Sequence, residues 1–162
     1  RFEVHLLPEA TGERIVIERD LSEPFATIMT SGFPDGFYRV GIVARDNLEN
    51  PEGRDLKGQR RSDPFLIDHG SPKIEDVRFE ADGQDLVLSF HALDRWSVIQ
   101  DVSVRIDGGE AIYPQPEDRL FDARSEHFVL RIPRRAGEEL GVQITVIDES
   151  DREATSALNW KP

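Results

Sequence analysis

Apolar residues alternate with polar or small ones along most of this chain, with a period of two. After a Pro34-Asp35-Gly36 turn, Tyr38, Val40, Ile42 and Ala44 fall on one face, and Arg39, Gly41, Val43 and Arg45 on the other. Successive side chains of a strand point to opposite faces, so the pattern predicts a half-buried β-strand. A weaker copy follows Gly137: Leu140, Val142, Ile144 and Val146, then Asp148. Asp46 and Asp148 are 102 positions apart, as are Val40 and Val142, while Phe25 and Phe128 differ from that spacing by one. Similarity at a fixed offset marks an internal repeat, so the chain reads as two related β-units.

The second unit reads as nearly complete. Val77 and Phe79 begin an edge strand, and Asp82-Gly83 turns it into Leu86, Leu88, Phe90 and Ala92. Ile99 leads into Val102, Val104 and Ile106, and Asp107-Gly108-Gly109 is a hairpin turn because these residues tolerate positive φ. A short strand from Ala111 to Tyr113 stops at Pro114 and Pro116. Phe128, Leu130 and Ile132 alternate up to Pro133, and Leu140–Ile147 and Thr155–Trp160 close the set. About seven short strands with almost no helical periodicity predict a β-sandwich.

The first unit reads as strands over Phe2–Leu7, Arg14–Glu18, Phe25–Thr30, Phe37–Asp46 and Ser62–Ile67. The offset sets Phe2 and Val4 against Val104 and Ile106, so residues 74–102 have no counterpart in the first unit. The expectation is an N-terminally truncated sandwich with exposed core and an unpaired edge. A second copy of the chain, giving a homodimer, or the neighbouring unit would fill the gap. Since Arg1 stands inside a predicted strand, the natural N-terminus and any targeting segment are expected upstream. Residues 47–61 read as a long polar hairpin loop. Asp68-His69-Gly70-Ser71-Pro72 reads as a short linker between a partial module over 1–68 and a complete one over 72–162.

Composition narrows the function. The chain has 162 residues, no Cys and a formal net charge of −12. This acidity argues against nucleic acid, which selects a basic stripe, and against anionic membrane surfaces. No apolar run approaches the roughly 20 residues that span a bilayer, so membrane insertion is not expected. Without Cys there is no disulfide framework and no thiolate metal site.

The run Phe33-Pro34-Asp35-Gly36-x-Tyr38-x-Val40-x-Ile42-x-Ala44-x-Asp46 resembles the signature of bacterial fibronectin type III-like and immunoglobulin-like modules. Tyr38 is similar to the tyrosine-corner residue of such sandwiches, whose hydroxyl bonds nearby backbone. The second unit departs from the signature: Leu140 replaces the Tyr, and Arg134-Arg135-Ala136-Gly137 lengthens the turn. Asp107-Gly108-Gly109 followed by Pro114, Asp118 and Phe121-Asp122 is similar to modules appended to bacterial extracellular β-propeller proteins. The resemblance implies an all-β chain of two tandem sandwiches, seven-stranded and Greek-key in topology when complete. It implies an extracytoplasmic setting (periplasmic, secreted or cell-surface) and a spacer, docking or adhesion role beside other domains of a parent protein. It transfers no catalytic residue.

Candidate chemistry is sparse. His5, His69, His91 and His127 include no pair at the i, i+4 spacing of a helical zinc site. His91 and His127 fall on outward faces of their strands, where surface histidines are ordinary. There is no Gly-x-Ser-x-Gly elbow and no phosphate-cradling Gly loop. Carboxylate pairs among 32 acidic residues carry no information on their own. Calcium is the sharper idea: the loop after the second strand and the loop before the last strand meet at one end of a sandwich. They carry Asp94 and Asp148 with Asp151, and the linker residue Asp68 is expected to enter near them. Hard oxygens from several loops suit Ca²⁺. The competing reading is a solvated acidic cluster partly neutralised by Arg95 and Arg152. Trp96, in the Asp94–Val98 loop, is the interaction candidate; it either presents its ring to a sugar or partner, or folds back over the sandwich end. Tyr113 and Phe121 are expected to pack in the core. The expected function is a non-catalytic accessory segment. Its competitors are a carbohydrate-binding module and part of an enzyme whose active site lies outside this stretch.

Overall fold

The period-two pattern does yield strands. A computed structural model describes residues 1–23, 25–46, 50, 56–133 and 138–162. Among them the chain is all-β, with antiparallel strands, a single 3-10 turn over Thr30–Gly32 and no α-helix. No helix among the described residues is long and apolar enough to cross a membrane. The chain divides into unit 1, Arg1–Asp68, and unit 2, His69–Pro162.

Unit 1 holds one five-stranded sheet: β1 (Phe2–Pro8), β2 (Ile15–Leu21), β3 (Gly36–Arg45), β4 (Lys57–Arg61) and β5 (Phe65–Ile67). Its order is β2-β1-β3-β4, with β5 pairing the N-terminal part of β3. Leu6, Tyr38 and Ile67 are its buried cluster, and Ile15, Ile17, Ile28, Phe33, Val40 and Phe65 pack against it. The Tyr38 hydroxyl donates to the Pro34 carbonyl at 2.8 Å while its ring is 3% exposed. Phe33 meets that ring edge-on at 6.1 Å. The tight turn and the strand it launches are thereby tied together.

Unit 2 holds two sheets. One has the order β10-β7-β6, from β6 (Lys73–Asp82), β7 (Asp85–Leu93) and β10 (Ser125–Pro133). The other has the order β12-β11-β8-β9, from β8 (Ile99–Ile106), β9 (Ala111–Ile112), β11 (Leu140–Asp148) and β12 (Glu153–Trp160). Thirteen buried apolar residues drawn from β7, β8, β10 and β11 form one cluster, with Phe90 stacked on Phe128 at 5.2 Å. Two sheets sharing one interior fit a β-sandwich. The chain turns between β8 and β9 on Asp107 (φ 49°) and Gly108 (φ 70°), both left-handed, and the Gly109 N–H closes the turn on the Ile106 carbonyl.

The two units share a strand connectivity. In each unit a strand pairs with the next strand in its sheet on one side (β1 with β2, β8 with β9). On its other side it pairs with a later strand (β3, β11), whose far neighbour is the strand after it (β4, β12). The register corrects the expected alignment. Ile42 faces Val4 and Ile144 faces Val104, so Val4 corresponds to Val104 and not to Ile106. The offset thus differs by two between the paired strands, and a two-residue shift keeps every side chain on its face.

Three further expectations change. The expected strand over Phe25–Thr30 does not form, and the segment is irregular up to the 3-10 turn. Its counterpart by offset, β10, gets its ladder from β7, and the described residues of unit 1 have no equivalent of β6 or β7. A strand without a partner leaves its backbone groups unpaired, so the segment has no reason to extend. Phe128 is accordingly fully buried while Phe25 is 72% exposed. Second, residues 57–61, expected in a loop, form strand β4, whose residues are all exposed. Main-chain pairing with β3 builds it, and an all-polar edge strand carries no period-two signal. Third, Ser62–Ile67 shortens to Phe65–Ile67, because Ser62 spans the gap with its backbone N–H on the Val40 carbonyl and its hydroxyl accepting from the Val40 N–H. The expected loop positions 47–49 and 51–55, and the turn Arg134-Arg135-Ala136-Gly137, lie outside the described residues.

Candidate functional site

The candidate residues of unit 2 come from two loops. Residues 94–98 join β7 to β8, and residues 149–152 join β11 to β12. Asp94 Oδ1 accepts the backbone N–H groups of Trp96 (2.7 Å) and Ser97 (2.8 Å), a local bond that turns the chain sharply after β7. Asp148 repeats the device: its Oδ1 accepts from Ser150 N–H (2.8 Å) and Arg152 N–H (2.9 Å). The backbone closes the same turn, with Asp148 N–H donating to Arg152 O and Asp151 N–H to Asp148 O. Asp151 takes φ 58°, a conformation Asp adopts more readily than most residues.

The two loops are joined. Glu149 N–H donates to Val98 O at 2.9 Å, and the Ser97 and Ser150 hydroxyls meet at 2.8 Å. Asp94 and Asp148 bring carboxylate oxygens within 4.8 Å of each other, and Asp148 is fully buried. Two anions this close repel, and the four backbone N–H groups aimed at their Oδ1 atoms stand in for the water they have lost. The pair can thus either lock two loops or share a hard cation.

Asp151 is exposed at the tip of its turn. Asp68 is the last residue of unit 1, directly after β5, and is 8% exposed. Trp96 is half-buried, with the Arg95 guanidinium 5.2 Å above its ring, so one face of the indole is covered by its own neighbour. The Arg95 guanidinium stacks on that ring, and the Arg152 backbone N–H is one of the donors to Asp148. Phe121 packs on the core, 6.0 Å from Phe128, but Tyr113 is 61% exposed, against expectation. It lies just beyond the two-residue edge strand β9.

Sequence reasoning missed two arrangements. Glu126 is buried, and its Oε1 accepts the N–H groups of Asp122 and Ala123, holding the loop before β10. His91 and His127, each placed on an outward face, are set directly opposite one another by the β7–β10 register. The faces were readable from alternation, but the register that joins positions so far apart was not. No known protein family, curated protein or solved structure matches this chain.

Proposed function

We propose that this chain is a pair of related β-sandwich modules of the fibronectin type III-like or immunoglobulin-like kind. They serve as a non-catalytic spacer and docking segment in a larger bacterial, extracytoplasmic protein. The observation that carries the reading is the sheet connectivity shared by the two units, while among the described residues strands equal to β6 and β7 are found only in unit 2. Phe25 (72% exposed) and Met29 (79% exposed) stand on the segment of unit 1 that has no strand partner, and offer an apolar grip for another chain. The Tyr38–Pro34 bond adds the corner contact of such sandwiches.

Sedimentation velocity across a concentration series tests the docking role. The expected result is weak self-association that Phe25→Glu with Met29→Glu removes. A strict monomer at every concentration, or association indifferent to both substitutions, would overturn docking through this segment. A glycan array separates the carbohydrate-binding alternative, which requires a bound sugar and loss of binding on removing an exposed ring such as Tyr113.

A second reading concerns a cation. The nearness of the Asp94 and Asp148 oxygens favours Ca²⁺ at the loop end of unit 2. It is compatible with the spacer role, since an ion there would stiffen the junction of two loops.

A further inference from the structure

The outward face of the β10-β7-β6 sheet carries a histidine pair. His127 on β10 is in register with His91 on β7, and their ring centroids are 4.6 Å apart at a tilt of 32°. Both side chains reach solvent, at 33% and 42% exposure. His127 Nδ1 is hydrogen-bonded to Glu117 Oε2 at 2.9 Å, whereas Asp76 Oδ2 stands 3.7 Å from His91 Nδ1, near it but beyond hydrogen-bond range.

The fold sets both carboxylates deliberately. The Pro116–Phe128 bridge lays the 116–117 segment beside β10, and Glu117 N–H donates to the His127 carbonyl at 2.9 Å. That fixes Glu117 next to the ring it meets. On the other side, β6 is irregular between Glu75 and Arg78, and Asp76 takes φ 53° there. A bulge re-aims a side chain, and here it aims one at His91.

The chemistry follows from the imidazole. A neutral ring has one N–H and one lone pair, and a carboxylate beside Nδ1 keeps the proton on that atom. The lone pair is then on Nε2, and the carboxylate makes it a better donor. Directly opposed residues on neighbouring strands have Cβ atoms only about 5 Å apart, so two such donors can close on one ion. We propose that His91 and His127 form a surface site for a borderline divalent transition metal (Cu²⁺, Ni²⁺ or Zn²⁺), bound through both Nε2 atoms. Glu117 is a positioning residue that holds the His127 Nδ1 proton, Asp76 lies near His91 Nδ1 without a hydrogen bond to it, and water completes the coordination. Imidazole donors select these ions over Ca²⁺ and Mg²⁺, and for one N-donor site Cu²⁺ binds ahead of Ni²⁺ and Zn²⁺. The site is separate from the Asp94–Asp148 pair, whose ligands are all oxygen.

The test uses the metal-free, tag-free chain titrated with ZnCl₂ and CuSO₄ by calorimetry, with the histidine side-chain ¹⁵N signals followed by NMR during the Zn²⁺ titration. The expected result is one equivalent bound, with the His91 and His127 rings shifting as Nδ1–H tautomers and His5 and His69 unmoved. His91→Gln and His127→Gln should each weaken binding at least tenfold, and Glu117→Gln by about tenfold, the lower end for a second partner of a ligating histidine. CaCl₂ should move neither ring. The proposal is overturned by absence of binding at millimolar Zn²⁺, by metal heat without movement of these two rings, or by unchanged affinity in both folded His→Gln variants. The ring signals of the unmutated chain decide the matter even where a variant fails to fold.

Discussion

The far end of the His5 imidazole, Nε2 foremost, sits beside the α-carbon of Gly41, its partner across the β1–β3 ladder. The ring occupies the space that a Cβ at position 41 would fill. His5 is 6% exposed, and its neighbour on the ladder is a glycine for steric reasons, since only glycine leaves that space open.

Gly41→Ala therefore forces the ring aside, and overpacking of this kind costs about 1–3 kcal/mol. Chemical denaturation should show the loss. His5→Ala, itself destabilising, should make the second substitution nearly neutral. A Gly41→Ala variant as stable as the parent would refute the packing argument.

Burial lowers the pKa of His5 from its usual 6.5, the Arg14 and Arg61 charges lower it further, and Glu3 opposes them. The folded state thus binds the proton more weakly than the unfolded chain. Its contribution to stability is complete above pH 6.5 and is lost as pH falls through the depressed folded value. Melting temperatures measured from pH 8 to pH 5 should fall on the acid side, and His5→Gln should flatten that limb. A slope identical in the variant would assign the acid sensitivity elsewhere.

Tyr38→Phe deletes the hydroxyl that donates to Pro34 O and should cost about 1 kcal/mol, the usual net worth of one such bond. Its effect belongs to unit 1. Leu140→Ala, at the corresponding position of unit 2, should cost about 2–5 kcal/mol through the cavity left in a larger core. Denaturation followed by Trp fluorescence, both Trp residues being in unit 2, should register the second change far more than the first.

Asp148→Asn keeps an oxygen for the Ser150 and Arg152 N–H groups but removes the charge. If Ca²⁺ binds beside Asp94, the parent chain should melt higher in millimolar Ca²⁺ than in a chelator, because a ligand of the folded state stabilises it. The Asn variant should lose that difference. Equal melting of the parent in both buffers would dismiss the ion and leave the pair as a clasp between loops.

Much of the fold was legible because the apolar period is explicit. In unit 2 every strand predicted from alternation formed, and the Asp107-Gly108 turn was readable from residue type alone. What failed had no local signal. Strand β4 is polar throughout, so only its pairing to β3 reveals it. The Phe25 segment carried the right residues but lacked a partner strand, which is a property of the chain around it. At the candidate site, Asp94 and Asp148 were picked out as acidic residues at the loop end of unit 2, and their turn-forming bonds emerged only from the structure. Their shared Ser97–Ser150 bridge and the His91–His127 juxtaposition depend on register, which residue types do not encode over such separations.

Both flanks of the unit 1 sheet are armoured with charge. Strand β2 exposes Glu18, Arg19 and Asp20, and strand β4 exposes Lys57, Arg60 and Arg61. Such residues keep open ladders hydrated and deny them to a stranger's backbone, the usual defence against fibril growth. A partner meeting unit 1 along these two edges is therefore steered toward gripping side chains and away from lengthening the sheet. Recoding β4 with valine and threonine would turn a well-behaved segment into a seed for amyloid.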